Sequence, residues 1–184
     1  MRKIVVSEGV TVDGIFDAET MGQWAAPYYS EERDEFVRGI VLAADALLLG
    51  RKTYDLQAYY WPNQKGDQYG IANHKNSMPK YVVTSTSLQA QWNNSMVIKN
   101  NVVEEIAKLK QQPGKDILIE GSAMLVETLA QAGLIDEYKI LVHPALVGSG
   151  KRFFREGMGL TKLKLSESQP IGLGVVLLSY ALAD

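Results

Sequence analysis

The chain has 184 residues, of which 46% are hydrophobic and 22% charged, as expected of a globular protein with one substantial core. A net charge of -2 argues against a protein that binds nucleic acid mainly through electrostatic attraction. Because the chain has no cysteine, it contains no disulfide, no catalytic thiolate and no thiolate zinc site. This composition fits a reducing cytoplasm.

The apolar runs are too short for a signal peptide or a transmembrane helix. Only residues 4–6 form an apolar run before Ser7 and Glu8, and no stretch approaches the roughly 18 residues of a membrane span. We therefore expect a cytoplasmic protein with one domain over residues 1–184.

Strand and helix patterns alternate along the first half of the chain. Ser30 precedes an amphipathic repeat and is predicted to cap a helix. The run 46–50 is wholly apolar, as in a parallel strand that is covered on both faces. The predicted elements are a strand at 3–9, a loop at 17–29, a helix at 31–44, a strand at 46–50 and a helix that begins at about 51–54.

The second half continues the alternation and then becomes rich in strands. Residues 59–79 are polar and aromatic, and they are predicted to form an excursion or lid. The elements that follow are strands at 80–85 and 95–99, a helix between Asn101 and Pro113, a strand at 116–121, a helix at 122–133, a strand at 135–146 and a hairpin around Gly172. This order predicts an α/β fold with a mixed, mostly parallel sheet, helices on both faces and an antiparallel C-terminal hairpin.

One candidate anion site lies where the strand 46–50 meets the next helix. Gly50 permits close approach to the backbone, and the free N–H groups of a helix start favour an anion. Arg51 and Lys52 add positive charge and Thr53 adds a hydroxyl. The alternative is an ordinary turn at Gly50 with both cations in solvent.

A second junction of this kind follows the strand 116–121. Gly121, Ser122 and Ala123 are small, so that a pyrophosphate could approach their N–H groups. The alternative is simple helix capping by Ser122. Thr84 and Ser85 end a third strand and supply hydroxyls for a phosphate or ribose, although such residues are also common in loops.

Several other motifs are incomplete. Residues 148–154 lack the first glycine and the Ser or Thr of a P-loop, and no G-x-G-x-x-G fingerprint or G-x-S-x-G elbow occurs. His74 and His143 have no metal-ligand neighbour at useful spacing. Asp34 and Asp13 are the candidate acids for proton transfer, because either could face a cleft at the edge of the sheet.

Taken together, the motifs resemble the dihydrofolate reductase-like superfamily, and most closely the reductase domain of bacterial bifunctional riboflavin biosynthesis proteins and its stand-alone relatives. The resemblance covers nearly the whole chain. It rests on residues 10–16, 47–55, 80–85 and 117–154 and on the C-terminal hairpin, and its most specific part is Leu134, Ile135, Asp136, Glu137, His143, Pro144, Gly148, Gly150 and Lys151.

The resemblance implies an NADPH-binding reductase, often a homodimer. By residue-to-residue correspondence, the implied cofactor residues are Gly50, Arg51, Lys52 and Thr53 at the phosphates, Thr84 and Ser85 near the adenosine, Gly121, Ser122, Ala123, Met124 and Leu125 along the pyrophosphate and nicotinamide, and the loop from Val12 to Asp17 against the nicotinamide. Asp34 falls where dihydrofolate reductases keep their substrate acid. Glu120 stands where those enzymes usually carry glycine, and it places a carboxylate near the cofactor.

The expected activity is hydride transfer from NADPH to a small heterocyclic substrate that resembles a pterin or a riboflavin precursor. The riboflavin enzymes also carry a deaminase domain, for which this chain has no counterpart. One alternative is a non-catalytic protein that binds NADPH as a sensor or binding module. Another is a structural dimer with a vestigial pocket.

Overall fold

A computed structural model describes residues 1–67, 69–157 and 159–183. The strands are β1 (Ile4–Thr11), β2 (Ala44–Gly50), β3 (Lys80–Val83), β4 (Ser95–Ile98), β5 (Asp116–Ile119), β6 (Glu137–His143), β7 (Leu163–Ile171) and β8 (Val175–Leu182). The α-helices are α1 (Met21–Trp24), α2 (Glu31–Ala43), α3 (Arg51–Tyr60), α4 (Ile71–Ser77), α5 (Val102–Gln111) and α6 (Ala123–Gln131).

The eight strands form one sheet in the order β4-β3-β2-β5-β1-β6-β8-β7. The five pairs from β4 to β6 are parallel, whereas β8 is antiparallel to both β6 and β7. The predicted mixed sheet with an antiparallel C-terminal hairpin is thus confirmed. Because β1 lies between β5 and β6, the first strand occupies an interior position of the sheet.

Helices cover both faces of the sheet, as predicted. On one face, apolar side chains of β1, β2 and β5 pack against α5 and α6, with Ile106 and Leu129 fully buried. On the other face, Leu47, Leu49 and Leu118 pack against α2, α3 and α4. The N-cap of α2 also matches the sequence pattern, since the Ser30 side chain accepts a hydrogen bond from the N–H of Arg33 at 3.2 Å.

Two segments differ from the predicted pattern. Residues 17–29 contain α1 and the 3-10 turn Ala26–Tyr28. Residues 59–79 contain the 3-10 turn Trp61–Asn63 and α4, whose residues Ala72 and Lys75 are buried. The second segment is therefore part of the helical layer and not a lid. Its few apolar residues gave too weak a periodic signal for a helix to be predicted.

No helix in the described ranges has the length and apolar character that crossing a bilayer requires.

Lys80 is a fully buried lysine at the start of β3. Its ammonium donates to the carbonyl oxygens of Asn76 and Asn93 at 2.8 and 3.0 Å, and it lies 4.3 Å from the ring centroid of Trp92. Burial lowers the pKa of Lys80 from 10.5 to about 8, because the charged form loses solvation.

This shift predicts a stability that rises with pH. Between pH 8 and 10.5 the unfolded chain keeps its Lys80 proton while the folded chain releases it, so the unfolded state binds more protons. Lys80→Met removes the titrating group and therefore its contribution to the pH dependence of stability. We expect the unfolding free energy of the wild type to increase across that window relative to Lys80→Met, as measured by urea denaturation. The exposed Lys162→Met is the control, and parallel curves for wild type and Lys80→Met would contradict the expectation.

Candidate functional site

The carboxyl ends of β2 and β5 meet at one edge of the sheet, where α3 and α6 begin. Gly50 is the N-cap of α3 and offers no capping side chain. Ser122 is the N-cap of α6, but its side chain makes no capping hydrogen bond. Both helix starts therefore leave N–H groups without a side-chain partner. For Ser122, the simple capping interpretation does not hold in this structure.

The two junctions touch each other. The N–H of Gly50 donates to the carbonyl of Gly121 at 3.2 Å, and a Cβ added at Gly50 would collide with the side chain of Ser122. Gly121 has a φ of +93°, and a Cβ there would lie 2.6 Å from the hydroxyl oxygen of Thr53. The peptide bond between Gly121 and Ser122 is cis. The two glycines therefore leave room at this corner for the side chains of Ser122 and Thr53.

This corner has features that suit an anion. Two adjacent helix starts with uncapped N–H groups form a favourable environment for linked anions, and the dipoles of both helices add to it. The corner lies outside the carboxyl ends of parallel strands, where α/β sheets bind their ligands. The described residues hold no group of three or more His, Asp or Glu side chains that could bind a metal.

Arg51 lies beside this corner and reaches the loop after β3. Its guanidinium pairs with Asp55 at 2.8 Å and donates to the carbonyl of Ser87 at 2.9 Å. The buried hydroxyl of Thr84 lies 3.1 Å from that of Thr86, whereas Ser85 is exposed. The structure thus brings the predicted cation close to the predicted hydroxyls. Lys52 is exposed on the first turn of α3.

The three predicted residues at the start of α6 occupy different environments. Ala123 is partly buried, Met124 is 65% exposed and Leu125 lies in the core beside α5 and β1. Only the backbone of Leu125 is available to a ligand, since its side chain stabilises the sheet face.

The loop after β1 is held against residues 145–153. Asp13 accepts hydrogen bonds from the Thr11 hydroxyl and from the N–H groups of Val147 and Gly148. The Thr11 bond, followed by the Gly148 bond, lowers the pKa of Asp13. Asp13 is therefore an ionised anchor of the loop, and the prediction that it could donate a proton is not supported.

The same anchoring positions the two ends of the loop that were predicted to bind cofactor. Val12 is 61% exposed, while the carboxylate of Asp17 lies 3.4 Å from the ammonium of Lys151. The N–H of Phe16 donates to the carbonyl of Lys151 at 2.6 Å. The glycine-rich stretch before Phe153 thus shapes this loop.

The α2 face of the sheet is not fully covered near β1. Ser7 and Gly9 belong to the interior strand β1 but are only partly covered. Asp34 shares a helical stripe with Val37 and Val41, which pack into the core, so it lies on the sheet-facing side of α2. Its carboxylate accepts from Arg33 at 2.8 Å, and its side chain is 32% exposed. Asp34 thus remains a candidate acid.

The aromatic residues between β1 and the chain after β6 mainly pack against neighbouring groups. Trp24 is 3% exposed and meets the ring of His143 edge-on at a centroid distance of 5.2 Å. Tyr28 donates from its hydroxyl to the carbonyl of Pro144 at 3.1 Å. Together with residues 145–147, Trp24 and Tyr28 border a cavity of about 350 Å³.

Each histidine makes one contact with a backbone carbonyl, while the buried Nε2 of His143 has no hydrogen-bond partner. A ring nitrogen of His143 lies 3.1 Å from the carbonyl of Leu141, and a ring nitrogen of His74 lies 2.8 Å from that of Ala44. Burial lowers the pKa of His143, which favours its neutral form.

A buried ion pair near the corner of Gly50 and Gly121 could not be predicted from sequence. The ammonium of Lys75 pairs with the carboxylate of Glu120, which also accepts from Gln57 at 3.1 Å. Lys75 lies 4.3 Å from the ring centroid of Trp61. The pair connects α4 to the end of β5 and fixes the position of the carboxylate that precedes Gly121.

Glu8 is a second functional candidate that was not predicted from the sequence. It is 6% exposed on β1, and its Oε1 has no hydrogen-bond partner. That atom lies 3.5 Å from the position that a Cβ on Gly121 would take. Burial raises the pKa of Glu8 well above its usual value, Glu120 raises it further and Lys75 lowers it. The sequence signal that could have identified Glu8 as a candidate is the presence of an acidic residue within an apolar strand.

Comparison with known proteins identifies relatives over nearly the whole chain. The family model described as the RibD C-terminal domain matches residues 2–177. An uncharacterized protein of Bacillus subtilis, YyaP, is 32% identical over 183 residues, which cover 97% of this chain and 94% of YyaP.

Solved structures share the fold at low sequence identity. A putative riboflavin biosynthesis protein from a Shewanella species has a TM-score of 0.79 at 20% identity, with 99% of both chains covered. Dihydrofolate reductase from Enterococcus faecalis, complexed with NADP(H), has a TM-score of 0.63 at 17% identity, with 98% of this chain and 97% of the reductase covered. The fold is therefore dihydrofolate reductase-like.

The close contacts around Gly121 predict that one added methyl group at this position lowers the stability of the fold. Gly121→Ala forces a side chain into a positive-φ position and against Thr53, so we expect a loss of about 1–3 kcal/mol in unfolding free energy. Gly39→Ala is the matched control, because it lies within α2 with no atom within 4 Å of the added Cβ. It should stabilise by roughly 0.5–1 kcal/mol. Chemical denaturation measures both, and equal effects would contradict the close approach at Gly121.

Proposed function

The chain belongs to the RibD C-terminal domain family, and from that premise we propose that it is an NADPH-dependent reductase. Its substrate would be a small heterocycle that resembles a pterin or a riboflavin precursor. The observation that carries this proposal is the contact between two uncapped helix starts at Gly50 and Gly121. Two such starts suit the two linked phosphates of a dinucleotide.

The proposed roles follow from where each group lies. NADPH, when bound, supplies a hydride for a C=N or C=O bond of the substrate. The backbone N–H groups after Gly50 and Gly121 would bind the phosphates, with Thr53 beside them. Val12 and Asp17 lie at the two ends of the loop that would cover the nicotinamide. The protein would chiefly position the reactants and support the transfer electrostatically.

Selectivity for the extra phosphate of NADPH would come from the α3 corner. Arg51 lies beside the hydroxyl of Thr86 at 3.4 Å and close to the buried Thr84. Lys52 adds a second positive charge on the same turn. Ser85 is exposed in the same loop and would lie near the adenosine.

Proton delivery would fall to Asp34, since Asp13 is held as a loop anchor. The planar substrate would lie on the sheet face beneath α2, where Ser7 and Gly9 are only partly buried. Asp34→Asn should lower the rate of reduction and leave NADPH binding unchanged. Reduction of pterins and pyrimidine intermediates, followed through the loss of nicotinamide absorbance, measures the rate.

The second candidate function is NADPH binding without catalysis. It is favoured by the engagement of Asp34, the candidate acid, in an ion pair with Arg33 at 2.8 Å. NADPH binding without oxidation by any tested substrate would support this sensor or binding module. A structural dimer with a vestigial pocket predicts no binding at all.

We also propose a cytoplasmic homodimer, as the family resemblance implies. The edge strand β7 is exposed along most of its length, with Leu165 51% exposed. Light scattering after size exclusion should give twice the 20.4 kDa chain mass.

Arg51 gives the sharpest test of the cofactor. Arg51→Ala should weaken NADPH binding by roughly tenfold to a hundredfold and NADH binding much less, because charge-assisted bonds to a phosphate contribute about 1.5–3 kcal/mol. Titration of nicotinamide fluorescence measures both ligands.

The control is Lys108→Ala, which also removes one positive charge but lies on α5, where it pairs with Glu105. It should change neither affinity. An equal loss for NADPH and NADH in Arg51→Ala, or no loss, would remove Arg51 from the phosphate site.

A further inference from the structure

Glu8 places an acid beneath a corner that is suited to anions. Its Oε1 lies 3.5 Å from the Cβ position of Gly121, at the start of the nine-residue helix α6. The residue is 6% exposed, and this oxygen is without a hydrogen-bond partner. A buried carboxyl oxygen with no partner is rare, because leaving it unpaired costs free energy.

Two charged side chains, Glu120 and Lys75, act on Glu8. The Glu120 carboxylate follows β5, and the Lys75 ammonium comes from α4 and is already paired with Glu120. The other packed elements contribute neutral groups, namely the Thr53 hydroxyl of α3, Ile140 across from Glu8 on β6, and the apolar face of α6. Among the described residues, no cation therefore forms an ion pair with Glu8.

An ionised Glu8 is incompatible with phosphates at the same corner. Two negative charges a few Å apart in a poorly hydrated environment repel strongly, whereas a neutral carboxyl does not. A protonated carboxyl also has one O–H group to donate. The unpaired oxygen and the adjacent uncapped helix start thus favour the protonated, neutral form of Glu8 when an anion is present.

Building on the proposed function, we propose that Glu8 is a positioning residue that must be protonated for the dinucleotide to bind. Binding at the Gly50 and Gly121 corner then takes up a proton at Glu8. By linkage, the affinity for NADPH falls as pH rises through the range where Glu8 ionises in the free protein, by up to about tenfold per pH unit.

Isothermal titration calorimetry tests the proton uptake directly. NADPH is titrated in two buffers of different ionisation heat, from about pH 6 to about pH 9, into wild type and into Glu8→Gln. The amide is neutral at every pH and nearly isosteric. We expect wild type to take up more protons than Glu8→Gln and to lose affinity more steeply with pH. Any proton taken up by the ligand's own 2′-phosphate contributes to both titrations, so the difference between wild type and Glu8→Gln removes it.

Glu120→Gln provides an independent variant that does not alter Glu8. Removing the neighbouring carboxylate makes Glu8 easier to ionise, so the fall in NADPH affinity should begin at lower pH. The ¹³C shift of the Glu8 carboxyl, titrated without ligand, should show the same displacement. Circular dichroism confirms that each variant is folded.

The outcomes separate this inference from the proposed function. NADPH binding with equal proton uptake and equal pH dependence in wild type and Glu8→Gln would overturn the role of Glu8 and leave the reductase proposal intact. Absence of NADPH binding in both proteins at every pH would overturn both.

Discussion

The structure depends on one close approach, that of two parallel strand ends whose following helices begin against each other. The bond from the Gly50 N–H to the Gly121 carbonyl can form only because neither residue has a side chain in the way. Because β2 and β5 are parallel neighbours, α3 and α6 begin at the same edge of the sheet before they pack on opposite faces. The ion pair of Lys75 with Glu120 and the carboxyl of Glu8 lie next to this corner.

The charged side chains near the corner differ in their exposure to solvent and in their ion-pair partners. Arg51 lies toward solvent and pairs with Asp55, so any phosphate it binds must compete with a carboxylate that is already present. Deeper in the fold, Lys75 is shared between Glu120 and the face of Trp61. Glu8 is also buried, and its Oε1 has no hydrogen-bond partner. Positive charge is thus available at the rim, while the interior carries excess acid.

The sequence predicted those parts of the fold whose signal is local. Apolar runs identified β2 and β5, and Ser30 identified the start of α2, because each depends on neighbouring residues alone. The small residues at both junctions likewise marked the candidate phosphate site. α4 was not predicted, since most of its residues are polar and its burial depends on contacts with α2.

The charged side chains of the site could not be predicted in the same way. Lys75 and Glu120 are 45 residues apart, and only the folded sheet brings them together. Asp13 was predicted as a candidate acid, but it accepts hydrogen bonds from Val147 and Gly148 that span more than 130 residues. Strand boundaries also shifted, as with the predicted strand 135–146, which ends at His143 before Pro144.

The strand order at the C-terminal edge constrains how the chain is completed during synthesis. β8, the last strand in sequence, lies between β6 and β7, and in the part of the chain described it is the sole strand neighbour of β7. β7 leaves the ribosome first, yet it can join the sheet only once β8 has docked on β6. A nascent chain that stops before β8 would therefore leave β7 without a strand to pair with.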